Sequence, residues 1–272
     1  MRTHRTISTI AGAAAAAAAV TGLVASSGQA AQAADTSAYS AAVAADDPTA
    51  VLSGTRDLVS GSTTGTLKGD AATTTLPNGD TGVVLDGKGD HVSFPSSPKY
   101  SIATTGVLTV EYLMRPDTLQ FADEEGSGYV YVLGKGDPNR HEWYGRMYSR
   151  SNDENRPNRI SAYAFNPKGG LGAGSYSQES VTTGRWIHVT VVFNSTARSS
   201  AYPSGYVKLY RDGKLKDTDS LADYGIKPVA GSAPLRLGTG YLASYFKGAI
   251  GPVAFYDREL SATRVAAHQA AR

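Results

Sequence analysis

The sequence contains no cysteine among its 272 residues. Without cysteine the chain has no disulfide, no cysteine-ligated zinc site and no thiol nucleophile. A lipoprotein anchor, which needs an N-terminal cysteine, is excluded for the same reason. The fold must therefore depend on a hydrophobic core, and a chain of this length is large enough to form one.

Beyond its start, the sequence also lacks any long apolar run. A basic beginning is followed by an alanine-rich apolar stretch over 10–24 and by the small residues Ala31 and Ala33. This order is typical of a signal peptide, and the apolar stretch is too short to be a convincing membrane anchor. We predict a signal peptide over 1–33 and a secreted, extracellular protein with no membrane span.

The chain has almost no net charge. It carries 26 Lys plus Arg against 24 Asp plus Glu, and loss of residues 1–33 removes Arg2 and Arg5 but no acid. The mature chain is then formally neutral. Nucleic-acid partners usually require a net basic surface, so we expect no nucleic-acid binding.

Most of the remaining sequence reads as short strands separated by turns. Residues 108–114 alternate in the period of two expected for a strand with two different faces. Residues 186–193 are almost continuously apolar, which favours a central strand with Trp186 in the core. Residues 143–148 and 160–165 form a predicted hairpin around the turn-forming cluster 151–158.

Two local signals mark chain reversals or ends. Asp212-Gly213 is the favoured dipeptide of a type I′ hairpin turn. Ser261 is a suitable N-cap for a helix over 262–271. Residues 34–48 show no sustained period, so we predict a flexible spacer over 34–54 and one β-sandwich domain over 55–272.

Six segments, taken in order, resemble the laminin-G-like jelly roll of the concanavalin A-like lectin and glucanase superfamily. They are residues 84–94, 108–112, 184–193, 207–215, 234–238 and 248–261. The resemblance implies an all-β, two-sheet antiparallel jelly-roll sandwich with a short C-terminal helix. It also implies a glycan ligand, although one fold hosts many functions.

No motif of a glycan-cleaving enzyme is complete. The glucanases of this superfamily carry Glu-x-Asp-x-x-Glu on one strand, and this sequence has no such run; Glu111 stands alone. The segment 245–248 is similar to a Tyr-x-Lys segment of alginate lyases, but the companion Gln-Ile-His is missing. We therefore assign no catalytic residue. We also interpret His188, inside the predicted central strand, as a hydrogen-bonded structural residue.

Calcium is the one metal that the sequence makes plausible. Asp86 and Asp90 flank Gly87-Lys88-Gly89, and hard cations prefer carboxylate oxygens from such loops. The simpler interpretation is a hairpin turn stabilised by aspartate. Relatives that bind calcium often have acids where this chain has Gly251-Pro252, so we expect no cofactor and keep calcium as the alternative.

The candidate ligand site depends on aromatic residues. The chain has 16 Tyr but only 6 Phe, and tyrosine offers a flat apolar face with a polar tip. In the predicted strand 143–148, alternate residues face the core and the outer, concave side of the sheet. We predict as ligand-binding the outward set with its hairpin neighbours, namely Tyr144, Arg146, Tyr148, Tyr163 and Asn166. The alternative is that these tyrosines simply cover a sheet.

The sequence thus predicts a monomeric, secreted module that binds a polysaccharide or glycoconjugate without covalent chemistry. The first alternative is a polysaccharide hydrolase or lyase on the same fold, recognisable by two convergent acids or a Tyr-His-Arg cluster in one groove. The second is a protein-interaction module of the cell envelope, which predicts a flat or apolar surface. No sequence feature identifies the sugar or the linkage.

Overall fold

A computed structural model of the protein describes residues 36–272, and the predicted signal peptide over 1–33 lies outside that range. The described chain forms seventeen strands, two α-helices and three short 3₁₀ helices. The strands pair antiparallel in two sheets, so the prediction of an all-β jelly-roll sandwich with a short C-terminal helix is confirmed.

The first sheet has ten strands, in the order β15-β14-β13-β8-β17-β1-β2-β3, with β6 also pairing with β17 and β5 with β6. Its strands are β1 (Ala50–Ser53), β2 (Arg56–Asp57), β3 (Ser62–Thr63), β5 (Ala72–Thr75), β6 (Thr81–Asp86), β8 (Val107–Pro116), β13 (Ile187–Asn194), β14 (Tyr206–Arg211), β15 (Lys214–Ser220) and β17 (Lys247–Tyr256). The predicted central strand is β13, which pairs with β8 on one side and β14 on the other.

The second sheet has seven strands, in the order β12-β11-β10-β9-β16-β7-β4. Its strands are β4 (Thr66–Lys68), β7 (His91–Phe94), β9 (Tyr129–Lys135), β10 (Trp143–Tyr148), β11 (Ile160–Ala164), β12 (Ala173–Tyr176) and β16 (Leu235–Leu237). The hairpin predicted around residues 151–158 is the β10–β11 pair.

The main core lies between the two sheets. The inward residues of β8, including Val110 and Tyr112, meet inward residues of β10, including Trp143 and Met147. Burial of these apolar side chains stabilises the fold at about 25 cal/mol for each Å² removed from water. The alternation predicted for residues 108–114 is confirmed, because Leu113 belongs to a separate cluster on the outer face.

Two helices cover part of that outer face of the ten-stranded sheet. Helix α1 (Ala38–Ala44) buries Tyr39 and Val43, and helix α2 (Ala262–Ala271) buries Val265 and His268. The cap at the start of α2 is as predicted, since the Ser261 hydroxyl accepts from Arg264 N at 3.2 Å.

The segment 36–54 is part of the folded domain, so the prediction of a flexible spacer over 34–54 is wrong there. Helix α1 packs against α2, and β1 pairs with β17 at the register Leu52 with Val253. Ala50 and Leu52 are fully buried. The segment shows no hydrophobic periodicity because the helix spans only seven residues and the strand only four, which is too few for a periodic pattern to be recognised.

The prediction that Trp186 lies in the core is wrong, whereas Trp143 faces the core as the alternation along strand 143–148 predicts. Trp143 is buried in the core and donates its indole N–H to Tyr100 O at 2.7 Å. Trp186 precedes β13, is only partly buried, and lies 5.5 Å from the Arg115 guanidinium. The strand begins one residue later than the apolar run, which leaves Trp186 at the edge of the sandwich.

The turn predicted at Asp212-Gly213 is confirmed. Both residues have positive φ, 49° and 76°, as a type I′ turn requires. The turn joins β14 to β15 at the edge of the ten-stranded sheet.

Candidate functional site

A groove of about 430 Å³ lies over strands β9 to β12, on the outer face of the seven-stranded sheet. Aromatic rings, two arginines, three acids and a glycine-rich turn line it together. We call it the Arg146 groove, and its lining residues are Gly126, Ser127, Tyr129, Arg146, Glu154, Arg156, Tyr163, Phe165, Gly170, Leu171, Gly172, Ala173, Gly174, Tyr176, Asp219, Asp223 and Tyr224.

Strand β10 supplies the central side chain of this groove. Because successive strand residues point to opposite faces, Trp143 and Met147 enter the core while Arg146 points outward. Arg146 pairs with Tyr131 of β9, just after a register shift that follows Gly145. Such a bulge redirects the side chains beside it, so that Val132 and Leu133 both pack in the core, whereas Tyr129 and Tyr131 share the outer face.

The Arg146 guanidinium is stacked between two tyrosine rings. Its central carbon lies 4.1 Å from the Tyr129 ring centre and 3.9 Å from that of Tyr163. Only 5% of the residue is exposed. One terminal nitrogen donates to the Tyr148 hydroxyl at 3.2 Å, whereas Nε is buried without a partner. The stacked rings hold the cation in place by cation–π attraction.

A second arginine, from the β10–β11 connection, reaches the same place. Arg156 donates to the hydroxyls of Tyr148 and Tyr163 at 3.0 and 2.8 Å, and stacks on Tyr176 at 3.9 Å. It also lies 2.6 Å from Glu154 Oε2. Desolvation raises the pKa of Glu154, but hydrogen bonds from Ser127 and Tyr148 and the Arg156 charge outweigh it and hold that pKa below its usual range.

Acidic residues from β15 and the following 3₁₀ helix complete the lining. Burial, together with the negative charges of Asp223 and Asp217, raises the pKa of the Asp219 carboxyl above its usual value. The groove therefore offers hydrogen-bond donors at its arginines and acceptors at its aspartates. Both are needed to fix the hydroxyl groups of a polar ligand.

Two apolar side chains at the groove are unusually open to solvent. Leu171 is 70% exposed and Tyr224 is 62% exposed. Tyr224 also has a φ of 56°, in the left-handed region that non-glycine residues rarely adopt. Outliers of this kind are concentrated at ligand sites, where the surrounding structure maintains the strain.

The five predicted ligand-binding residues occupy different positions relative to the groove. Arg146 and Tyr163 line it. Tyr144 and Tyr148 are on the predicted face, but they are fully buried, so our expectation that they point to solvent is wrong. Asn166 lies outside the groove, where its amide donates to Gly225 O at 3.3 Å and accepts from Lys227 N at 2.9 Å.

Tyr144 is buried because a second layer of side chains covers the sheet. Its hydroxyl lies 2.7 Å from His141 Nδ1, and the rings of Phe165 and Tyr241 pack against it. Alternation along β10 predicts which face a residue occupies. It does not predict whether a loop residue such as Tyr241 lies above it.

Sequence reasoning missed much of the groove because several of its residues lie in segments that we interpreted as turns. Glu154 and Arg156 belong to the cluster 151–158, and Leu171 lies in a glycine-rich turn between strands. The available signal for a ligand site was the presence of glutamate and arginine among the turn-forming residues of this cluster. It was weak, because solvated loops have the same composition.

The predicted calcium residues are brought together with a third acid. Carboxylate oxygens of Asp70, Asp86 and Asp90 lie within 4.8 Å of one another. Asp90, however, already accepts from the backbone N–H groups of Asp70 and Asp86 at 2.8 and 3.0 Å. Oxygen ligands of this kind fit calcium, but the same contacts explain a stabilised turn, and calcium at Asp86 and Asp90 stays a prediction.

Glu111, the acid that stands alone in the sequence, and the neighbouring acid of the aromatic cluster, Glu142, both lie outside the groove. Glu111 is buried on the outer face of the ten-stranded sheet, where His188 Nε2 and His268 Nδ1 lie 2.8 and 2.9 Å from its oxygens. His188 is therefore a hydrogen-bonded structural residue, as predicted. Glu142 forms a buried ion pair with Lys135. Neither carboxylate is free to meet a substrate.

Comparison with known proteins decides the family. Residues 86–266 match the family profile described as the concanavalin A-like lectin/glucanases superfamily. The chain belongs to this superfamily. The laminin-G-like resemblance seen in the sequence is thus confirmed over most of the described domain. A search of curated protein sequences finds no match.

Solved structures with the same fold include sugar-bound domains. Domain 4 of an extracellular arabinanase from Geobacillus stearothermophilus, in complex with arabinotriose, is 18% identical with a TM-score of 0.57, over 82% of this chain and 98% of that one. The ligand-binding domain of botulinum neurotoxin serotype D, in complex with N-acetylneuraminic acid, is 15% identical with a TM-score of 0.60, over 84% of this chain and 52% of that one. At these identities the similarity shows a shared fold.

Within residues 36–272 we find no helix with the length and apolar character needed to cross a bilayer.

Proposed function

We propose that this chain is a secreted carbohydrate-binding domain that holds a saccharide in the Arg146 groove without covalent chemistry. The observation that supports it is the combination of exposed aromatic surface at Tyr224 with donors and acceptors at Arg156 and Asp219. Sugar rings have apolar faces edged by hydroxyl groups, so they suit a site that combines stacking with hydrogen bonding. Sugar complexes of two proteins with this fold are consistent with the proposal.

The proposal is tested by a glycan array followed by titration calorimetry of the purified protein. Tyr224→Ala should weaken the best saccharide about tenfold, equivalent to about 1.4 kcal/mol, because the exposed ring supplies a stacking face. Tyr202→Ala is the matched control, since Tyr202 lies outside the groove and packs on Tyr206. Equal effects of the two variants would contradict the proposed site.

The same array distinguishes the other proposals. Loss of binding on chelation that is reproduced by Asp86→Asn with Asp90→Asn would support calcium at Asp86 and Asp90, whereas unchanged binding would leave the aspartates as a turn. A correctly folded protein that binds no saccharide would favour the cell-envelope interaction module. N-terminal sequencing of exported protein tests cleavage after Ala33, and light scattering tests our proposal of a monomer.

A hydrolase is the second candidate, and the acids of the groove are the observation in its favour. Asp219 has a raised pKa and Glu154 a lowered one. Glycoside cleavage requires one carboxyl group with a raised pKa, which acts as the acid, and a second that stays ionised and acts as the base. Against it, Glu154 is already engaged by Ser127, Tyr148 and Arg156. New reducing ends from a bound polymer, lost in Asp219→Asn, would establish the hydrolase.

A further inference from the structure

We propose that the Arg146 groove selects anionic saccharides, and that Arg146 receives the negative charge of the sugar. This inference rests on the proposed carbohydrate function and specifies the ligand class. The juxtaposition that supports it is a buried guanidinium, at the base of an open groove, stacked on two neutral rings and lacking any acidic partner in the described chain.

Other buried cations of the domain show what is missing at Arg146. Lys135 is paired with Glu142, and Arg236 NH1 lies 2.8 Å from Asp137 Oδ1. For Arg146, no carboxylate contributed by residues 36–272 lies within 4.0 Å. Buried charges in proteins are normally paired, so the absence of a partner distinguishes this arginine from the other two.

The nearest acid supplies only part of the missing charge, because the Arg146 charge helps to lower the pKa of Glu154 but acts from beyond ion-pair distance. Glu154 lies 2.6 Å from Arg156 and accepts hydrogen bonds from Ser127 and Tyr148. The direct contacts of its carboxylate are therefore with groups other than Arg146. Asp219 and Asp223 line the groove from β15 and the following 3₁₀ helix, and neither is within ion-pair distance of an arginine there.

An arginine cannot relieve this situation by losing its proton, because the guanidinium stays charged at any physiological pH. The faces of Tyr129 and Tyr163 compensate part of its lost hydration. A ligand anion would compensate the rest, in a partly desolvated site where charge attraction is stronger than in water. The groove should therefore favour a charged sugar over its neutral counterpart.

The anion can come from either of two sources, a uronic-type carboxylate or a sulfate ester. Both present oxygen acceptors that suit a guanidinium. The remaining ring hydroxyls would be free to meet Asp219 and Asp223, which line the same groove as acceptors.

The test is calorimetry of the purified protein with trigalacturonate, its methyl ester and a sulfated galactotriose. The ester keeps the sugar ring and removes the charge. We expect trigalacturonate or the sulfated sugar to bind at least about tenfold more tightly than the ester, a difference of about 1.4 kcal/mol. Tight binding of the sulfated sugar alone identifies the source as a sulfate ester. High salt should reduce the preference.

Two variants assign that preference to Arg146. Arg146→Met should bring the ratio of affinities close to one, while Arg198→Gln, which removes an exposed arginine outside the groove, should preserve it. If the methionine variant fails to fold, Arg146→Lys keeps the charge but not the planar fork, and a reduced preference is expected.

Each negative result of these experiments contradicts a different claim. Equal affinity of the wild-type protein for the charged sugars and the ester would overturn this inference and leave the proposed carbohydrate function intact. A preference that survives Arg146→Met would overturn the assignment to Arg146. Absence of binding to any saccharide by folded protein would overturn both proposals.

Discussion

Two buried charges, one on the outer face of each sheet, are compensated in opposite ways. Glu111, on the ten-stranded sheet, accepts from the Tyr39 hydroxyl at 3.1 Å and is contacted by His188 and His268. Arg146, on the seven-stranded sheet, has aromatic faces around it and no acid within 4.0 Å in the described chain.

The difference indicates different roles. We call Glu111, Tyr39, His188 and His268 the Glu111 network; it joins both helices to strands β8 and β13. A charge whose partners all come from the fold contributes to holding that fold together. A charge whose partners are incomplete, and which lies in an open groove, is available to a ligand.

The largest expected effect comes from removing the centre of the Glu111 network. Glu111→Ala should lower the free energy of unfolding by about 3–5 kcal/mol, because it leaves buried histidines without their acid. Denaturant unfolding measures this. Asp117→Asn is the control, since the half-exposed Arg115–Asp117 pair should contribute about 0–1 kcal/mol. A loss for Glu111→Ala as small as the control's would show that the network is not structural.

The pH dependence of stability should show the same network. The histidines hold the pKa of Glu111 at about 2 despite its desolvation, which acts in the opposite direction, so its contribution is complete above about pH 4.5 and is lost as the pH falls towards 2. Burial lowers the pKa of His268, but the acids around it outweigh burial and raise it. The His268 contribution is therefore complete below about pH 6.5 and lost as the pH rises through the raised pKa.

Thermal unfolding between about pH 2 and pH 9, which covers both the acid decline and the alkaline decline of stability, measures this behaviour. His268→Gln should flatten the alkaline decline, whereas His91→Gln, which replaces a half-buried histidine outside the network, should keep it. An alkaline decline that persists in His268→Gln would assign it to another group. The charged and titratable groups around His268 are Glu111, Asp46, Arg264, His188, Tyr39 and Tyr256.

The smallest expected effect on stability is at Arg146. Arg146→Met loses cation–π contacts but also removes a buried charge without an acid, so the free energy of unfolding should change by only about 1 kcal/mol. Arg236→Met is the matched control, because Arg236 pairs with Asp137 and donates to Gly136 O and Gly240 O. Its loss should cost at least about 2 kcal/mol by leaving buried acceptors unpaired. Equal losses of unfolding free energy in Arg146→Met and Arg236→Met would contradict the view that only Arg236 is held by partners within the fold.

Much of the fold could be predicted because it follows from local chemistry. The two-residue period of β8, the Asp212-Gly213 turn and the Ser261 cap each depend on neighbouring residues. The prediction of secondary structure failed where the element was short, as for helix α1. The prediction of solvent exposure failed where side chains from distant loops cover the residue, as Tyr241 covers Tyr144.

By itself, the sequence determined the longer strands, the Asp212-Gly213 turn, the C-terminal helix and the face of the sheet on which Arg146 lies. Only the tertiary structure decided that Glu111 meets His268 from 157 positions away, and that no acid approaches Arg146 within the described residues. The physical reason is that backbone conformation responds to nearest neighbours. The partners of a buried charge are instead set by strand pairing and loop packing between distant parts of the chain.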